Sequence, residues 1–117
     1  MIAKRYFLGK QAEQFTFIRI PKLLMTDGLF SDLSIEAKIL YGLLLDRMGL
    51  STKNNWIDNR NRIYVIYPVQ EIQNDMGISR KKAKEYLKEL ERTGLLEQHN
   101  QGFGLPCLLY IKNFKAA

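Results

Sequence analysis

The strongest pattern of apolar positions in the chain lies between Ser34 and Gly49. The apolar residues of this segment recur at helical spacing and form one broad face: Ala37, Ile39, Leu40, Tyr41, Leu43, Leu44, Leu45 and Met48. Ser34 is a favoured N-cap residue, and Gly49 is suited to ending the helix. The breadth of the face predicts a central core helix.

Two shorter amphipathic helices are predicted farther along the chain. The apolar face of the first comprises Val69, Ile72 and Met76. The apolar stripe of the second comprises Ala83, Tyr86, Leu87 and Leu90. Gly77 is expected to end the first helix, Ser79 to cap the second, and Gly94 to stop it.

Other segments have the patterns of β-strands and turns. Residues 15–20 alternate like a strand, and Pro21 after them opens a short helical turn. Residues 62–67 are rich in β-branched and aromatic side chains and are predicted to form a short strand. Residues 56–58, within the otherwise polar loop "STKNNWIDNRNR", are predicted to pair with residues 63–67 as a small hairpin. Near the C-terminus, "LLEQH" and "LPCLLYI" predict two strands joined by the turn "NQGFG".

The order of these elements predicts an α+β winged helix-turn-helix fold. From the core helix onward the order is helix, strand, helix, tight turn, helix, strand, turn and strand. Gly77 provides the turn between two helices, and Ile78 fills the angle between them. A short N-terminal strand region and a C-terminal β-hairpin wing complete the fold. Residues 1–14 form an N-terminal arm that we expect to be partly mobile, and residues 15–117 form the winged-helix domain.

The charge balance adds an expectation about partners. The chain has 18 Lys and Arg against 12 Asp and Glu, which gives a net charge of +6. Such an excess favours an anionic partner such as nucleic acid or an acidic membrane surface, although solvated surface charge alone would also account for it. There is no signal peptide and no apolar run of membrane-spanning length, so we expect a cytoplasmic protein with no membrane partner.

Several other classes of function find no support in the composition. Cys107 is the only cysteine and lies in an apolar run, so it is predicted to be a small buried residue. With His99 as the only histidine, an ordinary zinc site is not expected, and no cofactor is predicted. The glycines of "GFG" lie between strands and do not form a phosphate-binding loop. No catalytic constellation is present, so we do not expect an enzyme.

The second helix of the helix-turn-helix has an unusual distribution of charge. Cations repel the positive end of the helix dipole by a few tenths of a kcal/mol each, yet they crowd the start of this helix. Phosphate contacts outweigh such a cost when this end enters a DNA major groove. The predicted DNA-binding residues of the helix are Ser79, Arg80, Lys81, Lys82, Lys84 and Lys88.

The predicted contacts divide by chemistry. Arg80 and Lys84 are the candidates for base edges, and the other cations of the helix are the candidates for phosphates. The alternative is a solvated helix in which Lys81 pairs with Glu85. In the wing, Asn100 and Gln101 are predicted to contact the minor groove or the backbone, or to serve only the turn. A second basic cluster comprises Lys53, Arg60 and Arg62.

Several segments together resemble the N-terminal domain of plasmid replication initiators of the RepA_N type from Gram-positive bacteria. They are "LSIEAKILYGLLLDRM", "NNWID", "RIYVIYPVQEI", "KEYLKELERTGLLEQ" and "GFGLPCLLYIKNF", and the resemblance extends from about Phe15 to Phe114. It implies a winged helix that binds repeated double-stranded DNA sites at a plasmid origin, commonly as a homodimer. In this chain the second helix of the helix-turn-helix starts with "SRKK", which departs from the hydroxyl-rich "SRTT" type of the family.

The resemblance also implies that the chain is part of a longer initiator. In such proteins a flexibly linked C-terminal domain recruits host replication proteins. Association of two copies would involve the apolar N-terminal strand, namely Phe15, Phe17, Ile18 and Ile20, unless that strand packs on its own domain. The alternative functions are a winged-helix transcriptional regulator and a winged helix whose basic face docks an acidic protein.

Overall fold

The computed structural model describes residues 4–115 of the chain. Within that range lie five α-helices and two β-strands: α1 (Lys22–Thr26), α2 (Ile35–Met48), α3 (Ser51–Asn54), α4 (Val69–Met76), α5 (Arg80–Arg92), β1 (Leu96–His99) and β2 (Leu108–Ile111). Short 3-10 helices occur at Gln11–Gln14 and Gly28–Phe30. The predicted N-terminal arm, residues 1–14, includes residues 1–3, which lie outside the described range.

The core helix α2 forms where the sequence predicts it. The Ser34 hydroxyl accepts a hydrogen bond from the Ala37 N–H at 3.1 Å and so caps the helix. Half of the eight predicted face residues are buried, including Leu40 and Leu44, which are fully covered, and the other four are partly buried. Gly49 ends the helix, but with φ −60° it needs no glycine-specific conformation. The chain can therefore turn directly into α3.

The helix-turn-helix comprises α4 and α5. Gly77 has φ +65°, a left-handed conformation that side chains rarely adopt, and its N–H donates to the Gln73 carbonyl at 2.8 Å. The Ser79 hydroxyl then caps α5 by accepting from the Lys82 N–H at 3.1 Å. The predicted stripe of α5 is buried, and it packs against α2 and α4. Both helices are confirmed with their predicted start and stop residues.

The wing is an antiparallel hairpin of β1 and β2, in which Leu96 faces Ile111 and His99 faces Leu108. Val65 extends this sheet by one isolated bridge to Leu109, with N···O distances of 2.8 and 2.9 Å. The hairpin follows α5 directly and packs on it. The winged helix-turn-helix predicted from the sequence is therefore the fold of the chain.

Three predicted segments differ from the structure. Residues 15–20 form no strand in the described part of the chain, because no neighbouring strand pairs with them there. Residues 62–67 make only isolated bridges, from Ile63 to Ile57 and from Val65 to Leu109. The predicted polar loop contains α3, which ends at Asn55 with φ +57°, a conformation that Asn tolerates better than most residues.

A single core joins these elements. The largest fully buried side chains are Leu24, Leu40, Leu44, Val65, Ile72, Leu90 and Leu95. Trp56 packs against this core while remaining partly exposed. Cys107 is only partly buried at the base of the wing, and burial raises the pKa of its thiol. Within residues 4–115, no helix combines the length and apolar character that crossing a bilayer requires.

Candidate DNA-binding surface

The cations of α5 form an exposed surface that we call the basic ridge: Arg80, Lys81, Lys82, Lys84 and Lys88. The helix lacks an acidic residue in its first turn, where the ridge is densest. The buried stripe on the opposite side fixes the rotation of the helix, so the ridge points away from the core. The structure thus brings together and exposes the predicted cations.

The acids of α5 do little to neutralise this ridge. Glu85 pairs with Lys82 at 3.5 Å, rather than with Lys81, and both side chains are about half exposed. Glu89 accepts two hydrogen bonds from Ser34, and Glu91 accepts one from the Gln98 amide at 2.7 Å. Two of the three acids are therefore used to attach the helix to the rest of the domain.

The electrostatics of the helix start favour an anion. In the described part of the chain, Arg80, Lys81, Lys84 and Lys88 have no ion-pair partner. The helix dipole adds roughly half a positive charge at the same end. Unpaired cations beside free backbone N–H groups are a suitable site for phosphate oxygens. Ser79 serves here as the cap, so its hydroxyl already has one role within the protein.

Arg47 fixes the first helix of the motif, a role that sequence reasoning missed. Its guanidinium pairs with Glu71 at 2.6 Å, donates to the Ile66 carbonyl at 3.2 Å and lies 4.1 Å from the centre of the Tyr67 ring. The Tyr67 hydroxyl donates to Asp75 at 2.5 Å. Burial, and then this hydrogen bond to Asp75, raise the pKa of Tyr67. The position of Arg47 near the end of α2 indicated only a favourable dipole interaction.

The two predicted wing contacts shape the loop itself. The Gln101 amide donates to the Pro106 carbonyl at 2.7 Å, and the Asn100 side-chain oxygen accepts from the Gly102 N–H at 3.2 Å. Both residues remain exposed at the wing, so their predicted DNA contacts stay predictions. The most exposed large apolar side chain of the loop is that of Phe103, which is fully exposed.

The second basic cluster is partly neutralised within the domain. Arg62 pairs with Asp58 at 2.8 Å and lies over the Tyr110 ring at 5.0 Å. Partial desolvation raises the pKa of Asp58, but hydrogen bonds from Arg62, the Arg60 N–H and Tyr110 outweigh it and hold that pKa at about 2. Asp58 therefore stays ionised, and its hydrogen bonds close the turn between residues 56–58 and residues 62–67. Lys53 and Arg60 are exposed.

The residues predicted for dimerisation fall into two groups. Phe15, Phe17 and Ile18 are exposed, the first two by 53% and 64%. Ile20 instead packs on the domain's own core, where the chain crosses α2 at Gly42. Beside this crossing lies an apolar groove of about 490 Å³ between α1, α2 and the C-terminal residues, lined by Pro21, Leu23, Leu45, Met48, Ile111 and Phe114 among others.

Comparison with known proteins identifies relatives along almost the whole chain. A curated protein of Lactobacillus helveticus described as "41 kDa protein" is 28% identical over 99 residues. The match covers 85% of this chain and 28% of that protein, so the chain spans less than a third of its relative's length.

Solved structures resemble the fold closely. One described as "N-Terminal domain of DNA binding protein" is 32% identical, with a TM-score of 0.78 over 95% of this chain and 85% of that one. A "Structure of Rep-DNA complex" is 32% identical, with a TM-score of 0.78 and coverage of 93% and 84%. A "Structure of MDR initiator" is 37% identical, with a TM-score of 0.75 and coverage of 93% and 86%.

A family model matches the part of the chain that contains the core helix, the helix-turn-helix and the wing, and this match establishes the family. The family model described as "Replication initiator protein A (RepA) N-terminus" matches residues 16–117. This range agrees with the resemblance recognised in the sequence and contains every residue of the basic ridge. The chain belongs to the RepA_N family of replication initiator N-terminal domains.

Proposed function

We propose that this domain binds double-stranded DNA sequence-specifically at a plasmid replication origin, with α5 in the major groove. The observation that carries the proposal is the basic ridge, whose cations are exposed and crowd the N-terminal end of α5. Membership of the RepA_N family and the similarity to a Rep–DNA complex support the same function. The proposed role is binding rather than catalysis.

The side chains of the ridge have distinct proposed roles. Arg80 offers a planar fork of donors, which suits the two acceptors on the guanine edge, and Lys84 lies one turn farther along the same helix. Lys81, Lys82 and Lys88 are proposed to contact phosphates. Each phosphate contact releases counterions, so the affinity should fall steeply with salt, with a logarithmic slope of about −0.9 per neutralised phosphate.

Footprinting on the origin region of the cognate plasmid tests this function. The proposal predicts protected repeats, with protection in the major groove and a strong dependence on salt. Protection at a promoter instead would favour a transcriptional regulator. Binding of an acidic protein, with no duplex affinity even at low salt, would favour the protein-docking alternative and reject the proposal.

We also propose that two copies associate through residues 15–20, which follow the N-terminal arm. The exposed aromatic side chains Phe15 and Phe17 are the apolar residues that this mode would cover, and the groove beside Pro21 and Phe114 offers an apolar surface next to the end of this segment. Sedimentation of a Phe15→Ser, Phe17→Ser variant should show a shift to monomer. Leu29→Ser, which alters an 83% exposed side chain outside residues 15–20, is the matched control.

We propose that contacts with host replication proteins are made by a part of a longer initiator that lies outside this domain. The Lactobacillus helveticus relative contains much sequence beyond the part that resembles this domain. The proposal predicts that purified host replication proteins bind a full-length initiator and do not bind this domain alone. Equal binding by the two would place that interaction within residues 1–117.

A further inference from the structure

Phe103 is exposed to a degree that is unusual for a large apolar residue. Its relative exposure is 107%, the highest among the large apolar side chains of the described residues, and nearby Leu105 is 57% exposed. Both lie in the loop between β1 and β2, at the tip of the wing. A side chain that contributes nothing to the core of its own domain is available for a contact outside it.

The loop that presents Phe103 has a defined shape. Gly102 has φ +113° and Gly104 has φ +80°, conformations that residues with side chains rarely adopt. The Leu105 N–H donates to the Gly102 carbonyl at 3.2 Å and closes a tight turn around Phe103. The side chains of Asn100 and Gln101 add one hydrogen bond each within the loop, as described above.

We propose that Phe103 inserts as an apolar wedge at a base step in the minor groove and kinks the duplex. Apolar side chains inserted in this way unstack a step and bend DNA, and they allow more of the protein surface to touch the duplex. This inference rests on the proposed function, since it requires the domain to bind DNA. It assigns to the wing a contact different in kind from the phosphate contacts of the basic ridge.

The chemistry of the loop favours DNA over a protein partner. No Asp or Glu occurs between Gln98 and Ile111, so no carboxylate at the tip would repel a phosphate backbone. Only Phe103 and Leu105 offer exposed large apolar surface there, whereas protein-docking patches are contiguous apolar areas of several hundred Å². A single protruding aromatic ring matches the shape of a wedge.

The test compares wild type with Phe103→Ala and Phe103→Leu on a duplex from the plasmid origin, by binding assays and circular-permutation gels. Phe103→Ala should bind about 5- to 100-fold more weakly, as for other lost base–aromatic stacking contacts. It should also lose a bend of about 20° or more. Phe103→Leu retains an apolar wedge and should keep most of the bend. Because the ring is fully exposed, neither variant should change the unfolding temperature.

The salt dependence separates this contact from the ridge. Phe103→Ala removes no charge, so the slope of log affinity against log salt should match that of wild type, whereas Lys88→Ala, which removes a proposed phosphate contact, should reduce the slope by about one. Equal affinity and equal bend in wild type and Phe103→Ala would overturn the wedge. The wedge would also be overturned if Phe103→Ala kept the affinity and the bend of wild type but no longer bound a protein that wild type binds. Failure of the wild-type domain itself to bind the duplex would instead reject the proposed function.

Discussion

Glu89 links α5 to the start of the core helix α2 through hydrogen bonds from Ser34. Its carboxylate accepts from the Ser34 hydroxyl at 2.8 Å and from the Ser34 N–H at 2.9 Å. The same hydroxyl oxygen accepts from the Ala37 N–H and caps α2. The orientation of α5 and the N-cap of α2 therefore depend on one carboxylate, which lies on the helix that carries the basic ridge.

Replacing Glu89 with Ala should lower the free energy of unfolding by about 1–3 kcal/mol, because hydrogen bonds to a charged group are lost and the Ser34 N–H is left without its partner. Glu85→Ala is the matched control on the same helix. It removes one exposed ion pair and should cost at most about 1 kcal/mol. Urea denaturation of both variants measures the difference, and equal losses would show that the Ser34 contact does not hold the helices together.

Gly42 is the point at which residues 19–20 cross α2. A Cβ atom there would lie 2.8 Å from Cγ1 of Ile20 and 3.2 Å from the Arg19 carbonyl oxygen. Gly42→Ala should gain about 1 kcal/mol of helix propensity but lose about 1–3 kcal/mol through overpacking. We expect a net loss of about 1 kcal/mol in thermal or urea unfolding.

Gly28→Ala provides the comparison for this crossing, since an added Cβ there meets nothing within 4 Å. Its stability should stay within about 0.5 kcal/mol of wild type. If Gly42→Ala proved more stable than wild type, the segment around Ile20 would not be packed on α2 in solution.

Asp58 should make the stability of the domain sensitive to acid. Its pKa is about 2 in the folded protein, compared with about 3.9 for an unfolded aspartate. A lowered folded-state pKa stabilises the protein fully above about pH 4, and this contribution is lost as the pH falls towards 2. The unfolding temperature of wild type should therefore decline between pH 4 and pH 2, and Asp58→Asn should flatten part of that decline. Identical pH profiles for wild type and Asp58→Asn would argue against the ion pair between Asp58 and Arg62.

The sequence predicted the helices well because their signals are local. Ser34 and Ser79 act as caps, Gly77 has the left-handed conformation that its position required, and the apolar stripe of α5 is buried. Helical periodicity and capping depend on residues within a few positions of one another, so a single sequence contains them. The exposure of the basic ridge followed from the same periodicity.

The remaining features depend on contacts between distant positions. Residues 15–20 alternate like a strand, but strand formation requires a partner edge that no local pattern reveals. Arg47 of the core helix pairs with Glu71 of α4. Glu89 binds Ser34, which lies 55 positions earlier in the chain. The sequence places Phe103 in the turn of the wing but gives its side chain no role, and only the structure shows that its ring is exposed.

Charge reversal within the ridge tests the central claim most directly. Lys81→Glu, Lys84→Glu should abolish binding to the origin duplex at a salt concentration where wild type binds, while far-UV circular dichroism and the unfolding temperature remain those of a folded domain. Lys53→Glu, Arg60→Glu is the matched control, since it makes the same change of net charge at exposed residues outside the ridge and should retain most of the affinity. Undiminished binding by the folded ridge variant, or equal losses in both variants, would contradict the placement of α5 in the DNA groove.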